Sequence, residues 1–253
     1  MDKSDINVLI QGEGQAIVLL HGLFGALSNF EKVIAYFKQN YTIIFPFLPL
    51  YTAPIKNATV QGMVSFIENL VSKYNLNQFH IVGNSLGGHI GLVYAINNIN
   101  KVASITLTGS SGLFENSLGG SYPNRKDYNF VKKKTEETFY DAKNASKELV
   151  DEVFETVNNR EKALRTISLA RSAVRHNLRS ELYKITCPVN LIWGKDDTIT
   201  PLFVAEEFKK LLPNAQLNII NQCGHAPMME QPEQFNNYLE QFLNTLNKKE
   251  QKC

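Results

Sequence analysis

A glycine-flanked serine, Gly83-Asn84-Ser85-Leu86-Gly87, lies between the apolar run Phe79-His80-Ile81-Val82 and the apolar segment Ile90 to Ile96. This spacing predicts a strand, a very sharp turn and a helix, with Ser85 at the apex. Nearly side-chain-free neighbours let strand and helix close around the turn. Ser85 is expected at positive φ, with its hydroxyl held where a substrate can reach it. A serine hydroxyl is a poor nucleophile near neutral pH. It needs a base to take its proton and an acid to orient that base.

Two later segments carry the required residue types. His225 lies in Cys223-Gly224-His225-Ala226-Pro227, after a predicted strand. Asp196 and Asp197 lie in Trp193-Gly194-Lys195-Asp196-Asp197-Thr198-Ile199-Thr200-Pro201, after the strand before it. An oxyanion formed by attack must be met by preorganised donors. The Leu86 N–H, directly after the serine at a helix N-terminus, is one candidate. Asn84 and His89, beside the serine, are candidate substrate contacts. His80 reads as a structural mid-strand residue, His176 as a surface residue and Cys223 as a small buried hydrophobe.

The surrounding pattern must position these groups. Strands are expected at Ile17–Leu20, Tyr41–Phe45, Phe79–Val82, Val102–Leu107, Pro188–Trp193 and Gln216–Ile220. Helical periods cover Leu27–Phe37, Val60–Tyr74, Leu202–Leu212 and Pro232–Leu246, the last with proline at its first position. Strand–helix alternation predicts an α/β fold: a mostly parallel sheet with helices on both faces. Sites in such sheets lie beyond the carboxyl ends of the strands, where His21, Ser85, Trp193-Gly194 and Gln222-Cys223 all fall. The alternation stops between residues 113 and 183. That stretch is helix-rich, with a helix capped by Ser146 and running to Asn158, and helical register from Arg160 to Leu178. It is expected to be an inserted helical cap, with 1–112 and 184–253 as the core.

These pieces together resemble the α/β-hydrolase fold superfamily over nearly the whole chain outside the cap. The matching motifs are His21-Gly22 after the first buried strand, the Gly83–Gly88 elbow, Trp193-Gly194-x-x-Asp197 with Pro201, and Gly224-His225-x-Pro227-x-x-Glu230-x-Pro232-x-x-Phe235. The resemblance implies a serine hydrolase with Ser85 as nucleophile, His225 as base and Asp197 as acid, Asp196 being the competitor. It also implies a second oxyanion donor at the Leu23 N–H. Phe24 is a further contributor to that loop and a candidate substrate contact, and His21 is a structural histidine of the turn. The implied reaction is cleavage of a small or medium carboxylic ester or related acyl compound. Two alternatives stand beside it: a hydrolase cutting carbon–carbon bonds in aromatic ring-cleavage products, and a non-catalytic small-molecule receptor. The chain departs from many relatives after Phe45. Pro46-Phe47-Leu48-Pro49-Leu50-Tyr51 replaces their acidic, glycine-rich loop and is expected to be rigid, apolar and part of the pocket wall.

Composition fits this class. The 253 residues are 43% hydrophobic and 20% charged, with net charge +2, too small to imply a nucleic-acid partner. Lys132-Lys133-Lys134 followed by Glu136-Glu137 reads as a solvated helix face. Three cysteines without a C-x-x-C spacing imply neither a disulfide framework nor a zinc site. No cofactor motif is present. The expected partner is a small-molecule acyl substrate, and the expected setting is the cytoplasm, without signal peptide or membrane span. Nothing in the sequence sets an oligomeric state.

Overall fold

The computed structural model describes residues 6–25, 27–114 and 124–250. Its first half runs β1 (Val8–Gln11), β2 (Ala16–Leu20), α1 (Glu31–Phe37), β3 (Thr42–Pro46), α2 (Val60–Lys73), β4 (Phe79–Asn84), α3 (Leu86–Asn97) and β5 (Val102–Thr108). Three helices follow: α4 (Tyr128–Glu136), α5 (Lys147–Asn158) and α6 (Arg160–Arg175). The chain then returns through β6 (Val189–Gly194), α7 (Leu202–Leu211), β7 (Ala215–Ile220), α8 (Pro227–Glu230) and α9 (Pro232–Glu250).

The strands form one seven-stranded sheet in the order β1-β3-β2-β4-β5-β6-β7. Every pairing is parallel except that of β1 with β3. Side chains alternate between the two faces of a strand, and here they sort into two cores. Val18, Leu20, Ile44 and Ile81 pack with Val64, Ile67, Ile90 and Val204. Ile17, Leu19, Ile43, Val82 and Ile192 pack with Val33, Phe37, Phe235 and Leu239 on the other face. Burial on both sides explains why β4 and β6 read as continuous apolar runs. The helix α2 turns its period of apolar residues inward, and the Thr59 side chain accepts a 3.0 Å bond from the Gly62 N–H to cap it. Such a cap stabilises a helix by about 1 kcal/mol.

β1 escapes the sequence reading. Val8-Leu9-Ile10-Gln11 is short and sits on the sheet edge, where its pairing with Phe45 and Ile44 rather than a buried pattern defines it. The helix expected from Leu27 begins instead as a 3₁₀ turn, Leu27–Phe30, and becomes α-helical at Glu31. Among the described residues between β5 and β6, α4, α5 and α6 are helical and no strand joins the sheet. Ser146 caps α5 through the Leu149 N–H, as its spacing predicts.

Candidate active site

β2 and β4 are neighbours, and the chain leaves them in opposite directions across the sheet. Loops after such strands part to leave a crevice. Ser85 stands there at φ +53° and ψ −120°, between β4 and α3. A non-glycine residue held in this region stores strain of about 1–3 kcal/mol. Backbone bonds hold it: its N–H donates to the Thr108 carbonyl at 3.1 Å, and its carbonyl accepts from the N–H groups of His89 and Ser111, each at 3.2 Å. A β-carbon on Gly87 would lie 2.1 Å from the Leu20 carbonyl oxygen, so only glycine lets α3 approach β2 this closely.

His225 follows β7 and is nearly buried. Its Nδ1 lies 2.9 Å from Asp197 Oδ2. Asp197 is itself fixed by the turn after β6. Oδ1 accepts from the N–H groups of Ile199 and Thr200 at 2.8 and 2.9 Å, and Oδ2 accepts from the Thr200 hydroxyl at 2.8 Å. Three donors on one carboxylate fix its orientation toward the imidazole. Asp196 is exposed and touches this network only through its backbone N–H, which donates to the Cys223 carbonyl at 2.9 Å. Of the two adjacent aspartates, Asp197 is therefore the one in contact with the imidazole.

A cavity of about 430 Å³ joins Ser85 and His225 to Leu23, Leu86, Asn84 and Phe24. Leu86 opens α3, where backbone N–H groups have no partner within the helix. Leu23 sits in the turn after β2, whose geometry is fixed by the Gly25 N–H donating to the Gly22 carbonyl at 3.1 Å. The far side of the cavity comes from α4–α6 and the segment after α4, including Thr138, Phe139, Leu149, Val153, Ala170 and Ala173.

The neighbouring side chains take places that the sequence leaves partly open. Asn84 touches the cavity, but its Nδ2 donates to the Thr108 and His225 carbonyls at 3.0 and 3.1 Å, so its amide ties β5 to the histidine loop. His89 does not line the cavity. It is fully buried, with Nε2 3.2 Å from Nδ1 of His176 and the two rings stacked. Desolvation, reinforced by His176, pulls its pKa down to about 3. His176, expected on the surface, is half-buried by this stack. The Pro46–Tyr51 loop contributes nothing to the cavity wall. It braces the turn after β2 from behind: the Leu48 N–H donates to His21 Nε2 at 3.3 Å, and the Tyr51 hydroxyl donates to the Leu23 carbonyl at 2.5 Å. His21 is consequently held neutral, with Nδ1 donating to the Gly22 carbonyl and burial lowering its pKa.

Comparison with known proteins places this architecture. A model of the alpha/beta hydrolase fold matches residues 15–232. The chain is 24% identical to the monoacylglycerol lipase abhd6-A of Xenopus laevis over 93% of its own length and 77% of the lipase. It is 28% identical to the 2-hydroxy-6-oxononadienedioate/2-hydroxy-6-oxononatrienedioate hydrolase of Cupriavidus pinatubonensis over 90% of this chain and 86% of that one. Among solved structures, MGS-MChE2, an α/β-hydrolase enzyme from the metagenome of sediments from the lagoon of Mar Chica, Morocco, is 39% identical, with TM-score 0.79 and 95% coverage of both chains. Among the described residues, no helix is long and apolar enough to cross a membrane.

Proposed function

This chain belongs to the α/β-hydrolase family and is a hydrolase, and we propose that it cleaves a small or medium carboxylic ester, or a related acyl compound, through an acyl-enzyme on Ser85. The observation that carries this reading is the 2.9 Å contact of Asp197 with His225 Nδ1 beside the cavity that also holds Ser85. In the proposed mechanism the Ser85 hydroxyl attacks the acyl carbon while His225 Nε2 takes its proton. Asp197 holds the Nδ1–H tautomer and stabilises the imidazolium. The N–H groups of Leu23 and Leu86 receive the oxyanion. Collapse expels the alcohol, which takes the proton from His225. Water then attacks the acyl-enzyme by the same route and releases the acid.

The lining favours uncharged acyl groups. Phe24, Phe139, Leu149, Val153 and Ala173 are apolar, and the volume lies at the lower end of the range for small-molecule sites. In this reading α4, α5 and α6 form a cap that sets chain length. A relative named for hydrolysis of a dienedioate keeps carbon–carbon cleavage as the rival activity. A dianion needs cationic partners, however. Lys134 is the one lysine or arginine among the described residues lining the cavity, and its Nζ is already 2.6 Å from Glu137. Short-chain p-nitrophenyl esters should be turned over by the wild type, with a loss on the order of a thousandfold or more in Ser85→Ala. Ester turnover retained in a clean Ser85→Ala preparation, or turnover of ring-cleavage dienoates alone, would overturn the assignment.

A further inference from the structure

Glu230, the acidic residue of the motif that begins Gly224-His225, is not used in the mechanism above. It ends α8, six residues after Gly224. One carboxylate oxygen, Oε1, accepts from the Gly224 N–H at 2.7 Å, on the loop that carries His225. The other, Oε2, accepts from the Tyr140 N–H at 2.8 Å, on the segment leaving α4. This carboxylate thus spans two chain segments that are far apart in sequence and meet at the catalytic corner.

Other contacts converge on the same seam. The His225 N–H donates to the Thr138 carbonyl at 2.9 Å. The Thr198 hydroxyl, in the Asp197 turn, donates to the Glu137 carbonyl at 3.0 Å. A β-carbon on Gly224 would lie 2.7 Å from the Thr138 carbonyl oxygen and 2.9 Å from the Tyr140 nitrogen, so the two backbones are in direct contact. Thr138 and Phe139 also line the cavity. Residues 137–141 therefore touch the acid turn, the base loop and the substrate space at once.

We propose that Glu230 is a positioning residue, a two-ended carboxylate clamp that fixes the His225 loop against residues 137–141 and so couples the cap to the catalytic base. Without it, Gly224 and Tyr140 lose their shared acceptor, while the His225 backbone keeps its N–H bond to the Thr138 carbonyl and the bond its carbonyl accepts from Asn84 Nδ2. The imidazole then samples orientations away from Ser85, and small misplacements of a catalytic group cost large factors in rate. Burial next to Asp197 raises the Glu230 pKa, so the carboxylate is held at this seam against its preference for water.

The inference rests on the serine-hydrolase reading, and its test separates the two. Glu230→Ala and Glu230→Gln are compared with the wild type for kcat per fluorophosphonate-titrated serine, KM, thermal midpoint and the far-downfield proton resonance of His225 Nδ1–H. Glu230→Ala should lower kcat per titrated site about tenfold while KM moves less than about twofold. Glu230→Gln, whose carbonyl oxygen keeps one of the two bonds, should lose about threefold. The Nδ1–H resonance should shift or broaden in both. If Glu230→Ala does not fold, Glu230→Gln carries the test. A reduced thermal midpoint with unchanged kcat per site and an unmoved resonance would make Glu230 a structural tie only. A change confined to KM would assign it to the cavity wall instead. If the wild type turns over no ester, the substrate reading fails, and the rate of fluorophosphonate labelling still tests the clamp through the same tenfold and threefold ratios.

Discussion

Two buried histidines flank Ser85, and they are wired in opposite ways. His225 faces a carboxylate that is itself held by three donors in the 197–200 turn, and its ring reaches the cavity. His89 lies one turn into α3, has the Ser111 hydroxyl and the His176 ring as its polar side-chain partners among the described residues, and does not line the cavity. Burial alone makes a histidine neutral and inert. Burial beside an oriented carboxylate is the arrangement that the proposed base needs, with Nδ1 held and Nε2 left to accept a proton. The difference lies in the partner, and the partner is set by which strand end each histidine follows.

The sharpest way to break this comparison is to remove the partner's charge. Asp197→Asn should lower kcat by about 10³–10⁴-fold on p-nitrophenyl esters, because an amide neither stabilises imidazolium nor fixes the tautomer. Asp196→Asn should stay within about twofold. An equal or larger loss in Asp196→Asn would reassign the acid.

A smaller effect separates residues that face the cavity from those that do not. Of the aromatic residues Phe130, Phe139, Tyr140 and Phe154 between β5 and β6, only Phe139 lines the cavity. Tyr140 points into solvent, and Phe154 packs on Tyr128. Phe139→Ala should shift the ratio of kcat/KM between short and longer acyl chains by about tenfold, and Tyr140→Ala should leave it unchanged. Equal behaviour of the two would remove the roof from substrate selection.

The smallest effect concerns His89 itself. Its pKa of about 3 and that of His80, about 4, lie below the ordinary 6.5, so the unfolded chain takes up these protons first. The stability they contribute is present above about pH 6.5 and is lost as pH falls toward 4. His89→Phe should therefore flatten the fall of the thermal midpoint between about pH 6 and 4, while kcat at neutral pH stays within about threefold. An unchanged slope would contradict the buried neutral state of His89, and a loss comparable to Asp197→Asn would make His89 part of the chemistry.

The features legible in sequence are those with a local signature. The glycines around Ser85, the apolar runs of β4 and β6 and the periods of α2 and α5 each follow from neighbouring residues. The register of Trp193-Gly194-x-x-Asp197 already points to Asp197 over Asp196, and the turn gives the physical reason: Asp197 receives the amides of Ile199 and Thr200 while Asp196 faces solvent. What stayed hidden depends on contacts between distant segments. His89 meets a histidine on the far end of α6, the Pro46–Tyr51 loop turns behind Leu23, and Glu230 reaches Tyr140. No periodicity encodes such meetings. β1 carries no local signature for a related reason: its edge position leaves only a short, half-exposed run whose identity comes from pairing with β3.

The most direct test of the central claim is to catch the acyl-enzyme. Wild-type protein mixed with a p-nitrophenyl ester and quenched in acid within the first turnover should show, by intact-mass and peptide mass spectrometry, one acyl group added to the peptide containing Ser85, with one equivalent of p-nitrophenol released in the burst. Turnover that proceeds with no acyl adduct at any time point, or with the adduct on a residue other than Ser85, would contradict the account.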